Sequence, residues 1–535
     1  MNAPAWMLSF RRRFDLPIAV LALAALALLA AALAHAAGGT VPTNFTDSLV
    51  LSGLRFPVGM TTLPDGRVLF TEQFTARVRL IVSGALAATD PVCTVPDVRN
   101  NPNSEQGLLG IAVDPGWPGR PYVYVYYDAA SSATIHIARF TVGGDVSFSG
   151  NGALTIDTST QRDILTTIPD NASNHNGGTL RFGPDGKLYA SLGEDAQPCA
   201  AQDSTALQGK ILRLDMSSVP AGGGPAPALS VITPADNPFA GRPNANERLV
   251  WALGLRNPFR YAIDADGTLF VADVGDVTWE EIDRLPAAGL DLGWPLFEGH
   301  ATHGTSCTGV SGTGMTGPIY DFQHVSGSYA VIGGPVYRPP SCSPTGTNFP
   351  TAYIGDYFFN EYYHGFLRRL KGSGASWALA PAEPGQPNST DWGTGFDEVS
   401  DWMVGCDGAL WYCRQGVGFA DNTGEIRRIV YSGAAGVPPP SGSSVEFRPP
   451  WPSPARGGVT LSYTLAKSSV VSLDLYDLRG ERVRRLVPAS VESAGDQVWT
   501  WDGLDERGKP APAGLYLARL SVDGRGIVRR FPMIR

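Results

Sequence analysis

The 535-residue chain has no run of basic residues beyond a short N-terminal one, and its formal net charge is −9. A polyanion such as nucleic acid has nothing to dock on. The six cysteines, Cys93, Cys199, Cys307, Cys342, Cys406 and Cys413, form no Cys-x-x-Cys pair, which argues against zinc. Stretches with the 3.6-residue apolar period of an amphipathic helix are almost absent. There is no Gly-x-Ser-x-Gly turn, which removes the signature of a serine hydrolase elbow. Beyond one N-terminal run, no stretch is apolar for long enough to span a bilayer.

That run follows Arg11-Arg12-Arg13, extends from Leu16 to Leu33, and ends at Ala34-His35-Ala36. Basic head, apolar middle and small-x-small site read as a secretory signal peptide over residues 1–36; an uncleaved anchor is the alternative. The mature chain is expected to be secreted, periplasmic or on the cell surface. Disulfides suit such a compartment. Cys307–Cys342 and Cys406–Cys413 are the nearest pairs in sequence, but spacing leaves connectivity open, and free thiols are the alternative. The 63 glycines and 43 prolines point to many turns between short strands, an all-β composition.

Between residues 44 and 431 one hairpin recurs. Pro64-Asp65-Gly66, Pro184-Asp185-Gly186, Ala265-Asp266-Gly267 and Cys406-Asp407-Gly408 each separate an apolar strand from an alternating one, as a tight Asp-Gly turn does. Leu108 to Val113 and Tyr122 to Tyr127 form a further pair. Self-similar hairpins at long spacing predict a β-propeller; a row of separate β-sandwiches is the runner-up. Propeller sites lie at one end of the ring, where loops converge.

Three loops carry chemistry. His175 stands in Asn174-His175-Asn176-Gly177-Gly178, just ahead of a strand. A neutral imidazole there suits a general base, with glycines allowing a ligand close to the backbone; a hydrogen-bonded loop histidine is the plainer reading. Arg256 and Asn257, in Gly254-Leu255-Arg256-Asn257-Pro258, set a guanidinium beside a carboxamide, a pair able to hold an oxyanion or a quinone oxygen; a structural arginine is the alternative. The stretch from Asp273 to Asp283 collects Asp273, Asp276, Glu280, Glu281 and Asp283, oxygen donors of the kind calcium takes, without the ordered spacing of an EF-hand.

Gly107-Leu108-Leu109-Gly110, the His175 stretch, Gly254-Leu255-Arg256-Asn257-Pro258, Asp273-Val274-Gly275-Asp276 with Glu280-Glu281-Ile282, and Gly293-Trp294-Pro295 follow one another in an order that resembles the glucose/sorbosone dehydrogenase family, soluble quinoprotein aldose dehydrogenases. The resemblance implies a six-bladed β-propeller over residues 44–431. It also implies pyrroloquinoline quinone (PQQ) and Ca2+ as cofactors, a sugar substrate, an external electron acceptor, and oxidation of the anomeric hydroxyl to a lactone. His175 would be the base, with Arg256 as its catalytic companion. Arg256 and Asn257 would contact the quinone oxygens, with Glu105 or Gln106 beside them, and Gly275 and Asp276 would hold calcium by backbone carbonyls. Two stretches depart from the pattern. Tyr357-Phe358-Phe359-Asn360-Glu361 and Asp397-Glu398-Val399-Ser400 stand where the family meets the PQQ carboxylates with a lysine and two arginines. The alternative function is therefore a non-catalytic secreted propeller that binds carbohydrate or protein, with Glu361, Glu398 and Ser400 in its favour.

Residues 432–445 read as a Pro/Gly/Ser linker. Residues 446–535 hold short alternating strands, Val459 to Tyr463, Val470 to Tyr476, Gln497 to Trp501 and Gly514 to Val522, as in a small β-sandwich. Leu475-Tyr476-Asp477-Leu478-Arg479-Gly480, Trp501-Asp502-Gly503 and Gly514-Leu515-Tyr516 resemble FlgD-type immunoglobulin-like modules, which implies contact with the cell surface or a secretion system; a passive spacer is the alternative.

Overall fold

The computed structural model describes residues 38–432 and 446–534, apart from positions 103, 341, 343–347, 448–449, 451–454, 466–467, 478–479, 494 and 523–524. The signal segment and nearly all of the linker lie outside the described residues. The chain is all-β and divides into two compact units between Gly433 and Ala434. Among the described residues no helix is long and apolar enough to cross a membrane.

The first unit contains six antiparallel sheets of four or five strands. Their first strands are Pro57–Thr62, Leu108–Val113, Leu180–Phe182, Arg260–Ile263, Val331–Val336 and Val399–Val404. In four sheets the first and second strands are joined by the predicted Asp-Gly turn. The glycine N–H closes the turn on the residue three back, as Gly66 does on Leu63 (2.9 Å) and Gly408 on Gly405 (2.8 Å). The aspartate accepts from the N–H two residues on, at 3.1 Å from Arg67 and 3.0 Å from Lys187. The turn is thus self-contained, which is why it is readable locally. The fifth sheet instead joins Val331–Val336 to Tyr357–Glu361 by a long excursion.

First strands pack against first strands of neighbouring sheets. Phe45–Leu54, from the start of the unit, pairs with Gly424–Tyr431 from its end, so the last sheet is built from both ends of the unit. At the centre lies Arg260, 1% exposed. Its guanidinium donates to the carbonyls of Val58 (2.6 Å), Leu109 (3.1 Å), Phe259 (3.0 Å) and Ser400 (2.9 Å) and to Thr179 Oγ1 (3.2 Å). One cation therefore ties together four of the six first strands, its own included, and the residue just before a fifth.

Disulfides join Cys199 to Cys307 and Cys342 to Cys406, leaving Cys93 and Cys413 buried and free. Neither nearest-in-sequence pair forms. Cys413 lies inside the strand Leu410–Arg414 and Cys406 in the turn before it, so the two are held apart, and Cys406 meets a loop of the preceding sheet instead.

The second unit has two sheets. One contains Glu446–Phe447, Val459–Leu465 and Gly495–Trp501; the other is five-stranded and centres on Ser469–Tyr476 and Gly514–Val522. Alternate residues Val459, Leu461, Tyr463 and Leu465 turn inward with Val471, Leu473, Trp501, Tyr516 and Phe531, the period-two burial of sheets that share a core.

Candidate active site

Among the described residues, loops that enter the first strands of five of these sheets and loops that leave the second strands of four line a cavity of about 560 Å3 whose wall includes Gln73, Glu105, Asn257, Tyr362, Tyr363 and Gln415.

His175 has φ of 60°, a left-handed conformation uncommon for a residue with a side chain. It is tolerated because Gly177 (φ 64°) and Gly178 (φ 127°) follow, and because Gly193 packs on the His175 carbonyl so closely that any Cβ there would collide with it. Nδ1 of His175 pairs with Oε1 of buried Glu194. A carboxylate only accepts, so in the neutral ring this pairing puts the proton on Nδ1 and leaves Nε2 as the accepting nitrogen. The His175 N–H donates to Glu105 Oε2 at 2.8 Å.

Asn257 is the knot of the site. Its N–H and that of Arg256 donate to the two oxygens of Asp273, at 2.7 and 2.8 Å. Its Oδ1 accepts from Gly177 N–H at 3.0 Å and its Nδ2 donates to Glu105 Oε2 at 3.0 Å. Burial pushes Asp273 up to about 7 even though both backbone donors favour its charge. The loops bearing Glu105, His175 and Asn257 are thus fixed to one another by uncharged donors on one carboxylate.

Three predicted site residues stand elsewhere. Gln106 turns inward, donating to Asp170 Oδ1 (2.8 Å) and the Ala172 carbonyl (3.2 Å); of the pair, only Glu105 reaches the cavity wall. Arg256 is not in the wall. Its guanidinium donates to Asp276 Oδ1 (2.9 Å) and the Val274 carbonyl (3.2 Å) and lies over the Trp294 ring at 5.4 Å. His175 itself sits just behind the wall residues Ser173 and Asn174. Of the acidic residues set against a quinone, Glu361 is buried and accepts from the N–H groups of Ala330 (2.9 Å), Tyr363 (3.1 Å) and His364 and from His364 Nδ1 (2.9 Å). Ser400 is in the core, donating to the Pro57 carbonyl at 3.2 Å. Glu398 accepts from Gly418 N–H at 2.8 Å.

Sequence reading missed Glu194, which no motif marks, and Glu298. One oxygen of Glu298 accepts from four successive N–H groups, Asp276 to Trp279, at 2.8 to 3.1 Å, and so shapes the Gly275-Asp276 loop. It also missed the aromatic wall of Phe56, Phe74, Phe259 and Phe419.

Beneath the loop, Asp273, Glu281 and Asp283 bring one oxygen each within 4.8 Å of one another, all buried. Both Asp283 oxygens lack a hydrogen-bond partner. Burial holds Glu281 and Asp283 well above the usual carboxylate range. Hard oxygen donors suit calcium, and this end of the molecule is chemically suited to a divalent cation. A tricarboxylate cofactor fares differently. Among the described residues, no lysine or arginine is in the cavity wall. The basic side chains near its fifth sheet are engaged elsewhere: Arg368 with Asp391, Arg369 with Asp356 and Glu383, and Lys371 with Asp356. The residues present do not fit PQQ.

Residues 54–339, more than half of the chain, match the glucose/sorbosone dehydrogenase family, and residues 453–526 match the FlgD Ig-like domain. The HIPL2 protein of Arabidopsis thaliana is 28% identical over 57% of this chain and 44% of its own length. Quinoprotein glucose dehydrogenase B of Acinetobacter calcoaceticus is 26% identical over 48% of this chain and 54% of its own. The chain thus spans about half the length of these relatives. A solved oxidoreductase (glucose dehydrogenase) of Thermus thermophilus superposes with a TM-score of 0.54 at 26% identity, covering 72% of this chain and 99% of that one.

Proposed function

The chain belongs to the glucose/sorbosone dehydrogenase family, and from that premise we propose that it is an extracytoplasmic sugar oxidoreductase that takes an aldose into the cavity and oxidises its anomeric hydroxyl to a lactone. The six sheets are read as the blades of a six-bladed β-propeller, closed by the pairing of Phe45–Leu54 with Gly424–Tyr431. The second unit is read as an immunoglobulin-like sandwich that serves attachment or export. The signal segment over residues 1–36 supports secretion.

The single observation that carries this reading is the His175–Glu194 pair. Glu194 fixes the tautomer, Nε2 is the free base, and the imidazolium that forms on taking the anomeric hydroxyl proton is stabilised by the carboxylate behind it. Glu105, Asn257, Gln73 and Gln415 offer the uncharged and anionic acceptors and donors that read sugar hydroxyls. The hydride of the anomeric carbon passes to an external two-electron acceptor of the quinone class, which leaves as the hydroquinone once it gains a proton, while the hydroxyl proton taken by His175 is released to solvent. Calcium carried by Gly275, Asp276 and the carboxylates beneath would order that loop. PQQ is the cofactor the family resemblance implies, and the wall offers no cation to meet its carboxylates.

The absence of a cation in the described cavity wall favours a second reading, in which the same cavity binds a saccharide without turnover. Dye reduction by the signal-less protein with an aldose panel, with calcium present and with and without added PQQ, tests the first. Turnover lost in His175→Ala supports it. Sugar binding by calorimetry with no turnover under any condition replaces it with the second.

A further inference from the structure

The cavity does not merely lack the cations that a polyanion needs; its charge is of the opposite sign. We propose that it is specific for a positively charged saccharide, a sugar bearing a protonated amine, an inference that rests on the reading of the cavity as the sugar site.

Among the described residues, Glu105 is the only charged side chain in the wall. The partners of its Oε2 are the His175 N–H and the Asn257 amide, both neutral, so neither cancels its charge. Behind the wall stands a further buried carboxylate, Glu361, whose side-chain partner is a histidine, His364 at 2.9 Å, rather than lysine or arginine. The hydroxyl of Tyr363, itself in the wall, stands in the field of Glu105 and Glu361; burial first, and those charges next, hold it above the usual phenol range. The arginine that sequence places here, Arg256, is neutralised by Asp276.

The rest of the wall suits the same ligand. Phe56, Phe74, Tyr363 and Phe419 present ring faces and edges, with Tyr363 and Phe419 about half exposed. Aromatic faces take the apolar side of a sugar ring and attract an ammonium. Gln415, in the wall, donates to Gln73 Oε1 at 2.6 Å and accepts from the Tyr362 hydroxyl at 2.6 Å, a neutral polar frame for sugar hydroxyls. A volume of about 560 Å3 lies within the range of small-ligand sites. An ammonium placed beside Glu105 gains an unshared counter-charge in a partly water-excluded site. A neutral sugar gains only hydrogen bonds, and a polyanion is repelled.

Calorimetry on the signal-less protein with calcium present tests this, using four probes: a glucosamine trimer, its fully N-acetylated form, a glucose trimer and PQQ. The amine trimer is expected to bind about tenfold or more tightly than either neutral trimer, to be displaced by them from the same cavity, and to lose that advantage at about 0.5 M salt. Glu105→Gln should narrow the gap; if that variant does not fold, the salt dependence and the competition decide. Equal affinity for charged and neutral trimers, or tight PQQ binding, overturns the inference while leaving a sugar site in place. No saccharide binding in any arm overturns both it and the sugar-site reading.

Discussion

Glu194 holds Nδ1 of His175 from a position 1% exposed, on the far side of the imidazole from the nitrogen left free. Replacing it by glutamine keeps an acceptor but removes the charge that stabilises imidazolium. Glu194→Gln is expected to lower turnover about 10- to 100-fold, as loss of an orienting partner does, with KM for the sugar little changed. It should also mix the two imidazole tautomers, since an amide donates as well as accepts, read by the ring nitrogen shifts in NMR. A single unchanged tautomer with full turnover would mean that the pair does not act as a unit.

Asp128 and Asp170 give stability a pH dependence of definite sign. Burial holds both above the usual carboxylate range, Asp128 strongly. Asp128 Oδ2 accepts from Gly107 N–H at 2.8 Å while Oδ1 has no hydrogen-bond partner. The folded state therefore binds protons more tightly than the unfolded chain. Their contribution is fully present below about pH 4, the unfolded value, and is lost as pH rises through the folded values. Asp128→Asn should flatten this: it should melt like the parent near pH 4 and higher than the parent at pH 8 in thermal denaturation. A lower melting temperature at pH 8 would refute the assignment.

Arg260→Met should be among the most damaging single changes. It strands carbonyls on several sheets and leaves Asp401, 3.5 Å away, without that cation. The expected loss exceeds about 3 kcal/mol, measured by chemical denaturation.

Thiol counting checks the covalent framework. Native protein should show no reactive thiol, and denatured, unreduced protein two, from Cys93 and Cys413. Removing either disulfide as a double serine variant should cost about 2 to 5 kcal/mol. The Cys199–Cys307 loop, separated by 108 residues against 64 for Cys342–Cys406, should cost slightly more.

What was legible in the sequence was what local chemistry decides. The Asp-Gly turns at Asp65, Asp185, Asp266 and Asp407 each satisfy their own hydrogen bonds, so four hairpins could be read one at a time. The fifth sheet was not, because its first connection has no such turn. His175, Asn257 and Glu105 were named from glycine context and motif order, and hydrogen bonds link all three loops; their role in a reaction is the proposal above. Arg256 and Gln106 were named on the same grounds but head away from the cavity wall, since a side chain's heading depends on partners such as Asp276 and Asp170, in other parts of the chain. Glu194 and Glu298 carry no local signal, because each acts through groups 19 or more residues away. The disulfides failed for the same reason: sequence proximity is a poor guide where neighbouring strands turn cysteines apart.

The strand Phe45–Leu54 finds its partner only in Gly424–Tyr431. During synthesis it is made early, and its partner comes almost four hundred residues later. Until then the edge of Gly424–Tyr431's sheet that this strand covers does not exist, and the strand itself has unpaired backbone donors and acceptors, the condition that invites wrong pairing. Completion of that sheet therefore waits for residues 424–431, and a translation stop anywhere before residue 424 yields a unit whose last sheet is never completed.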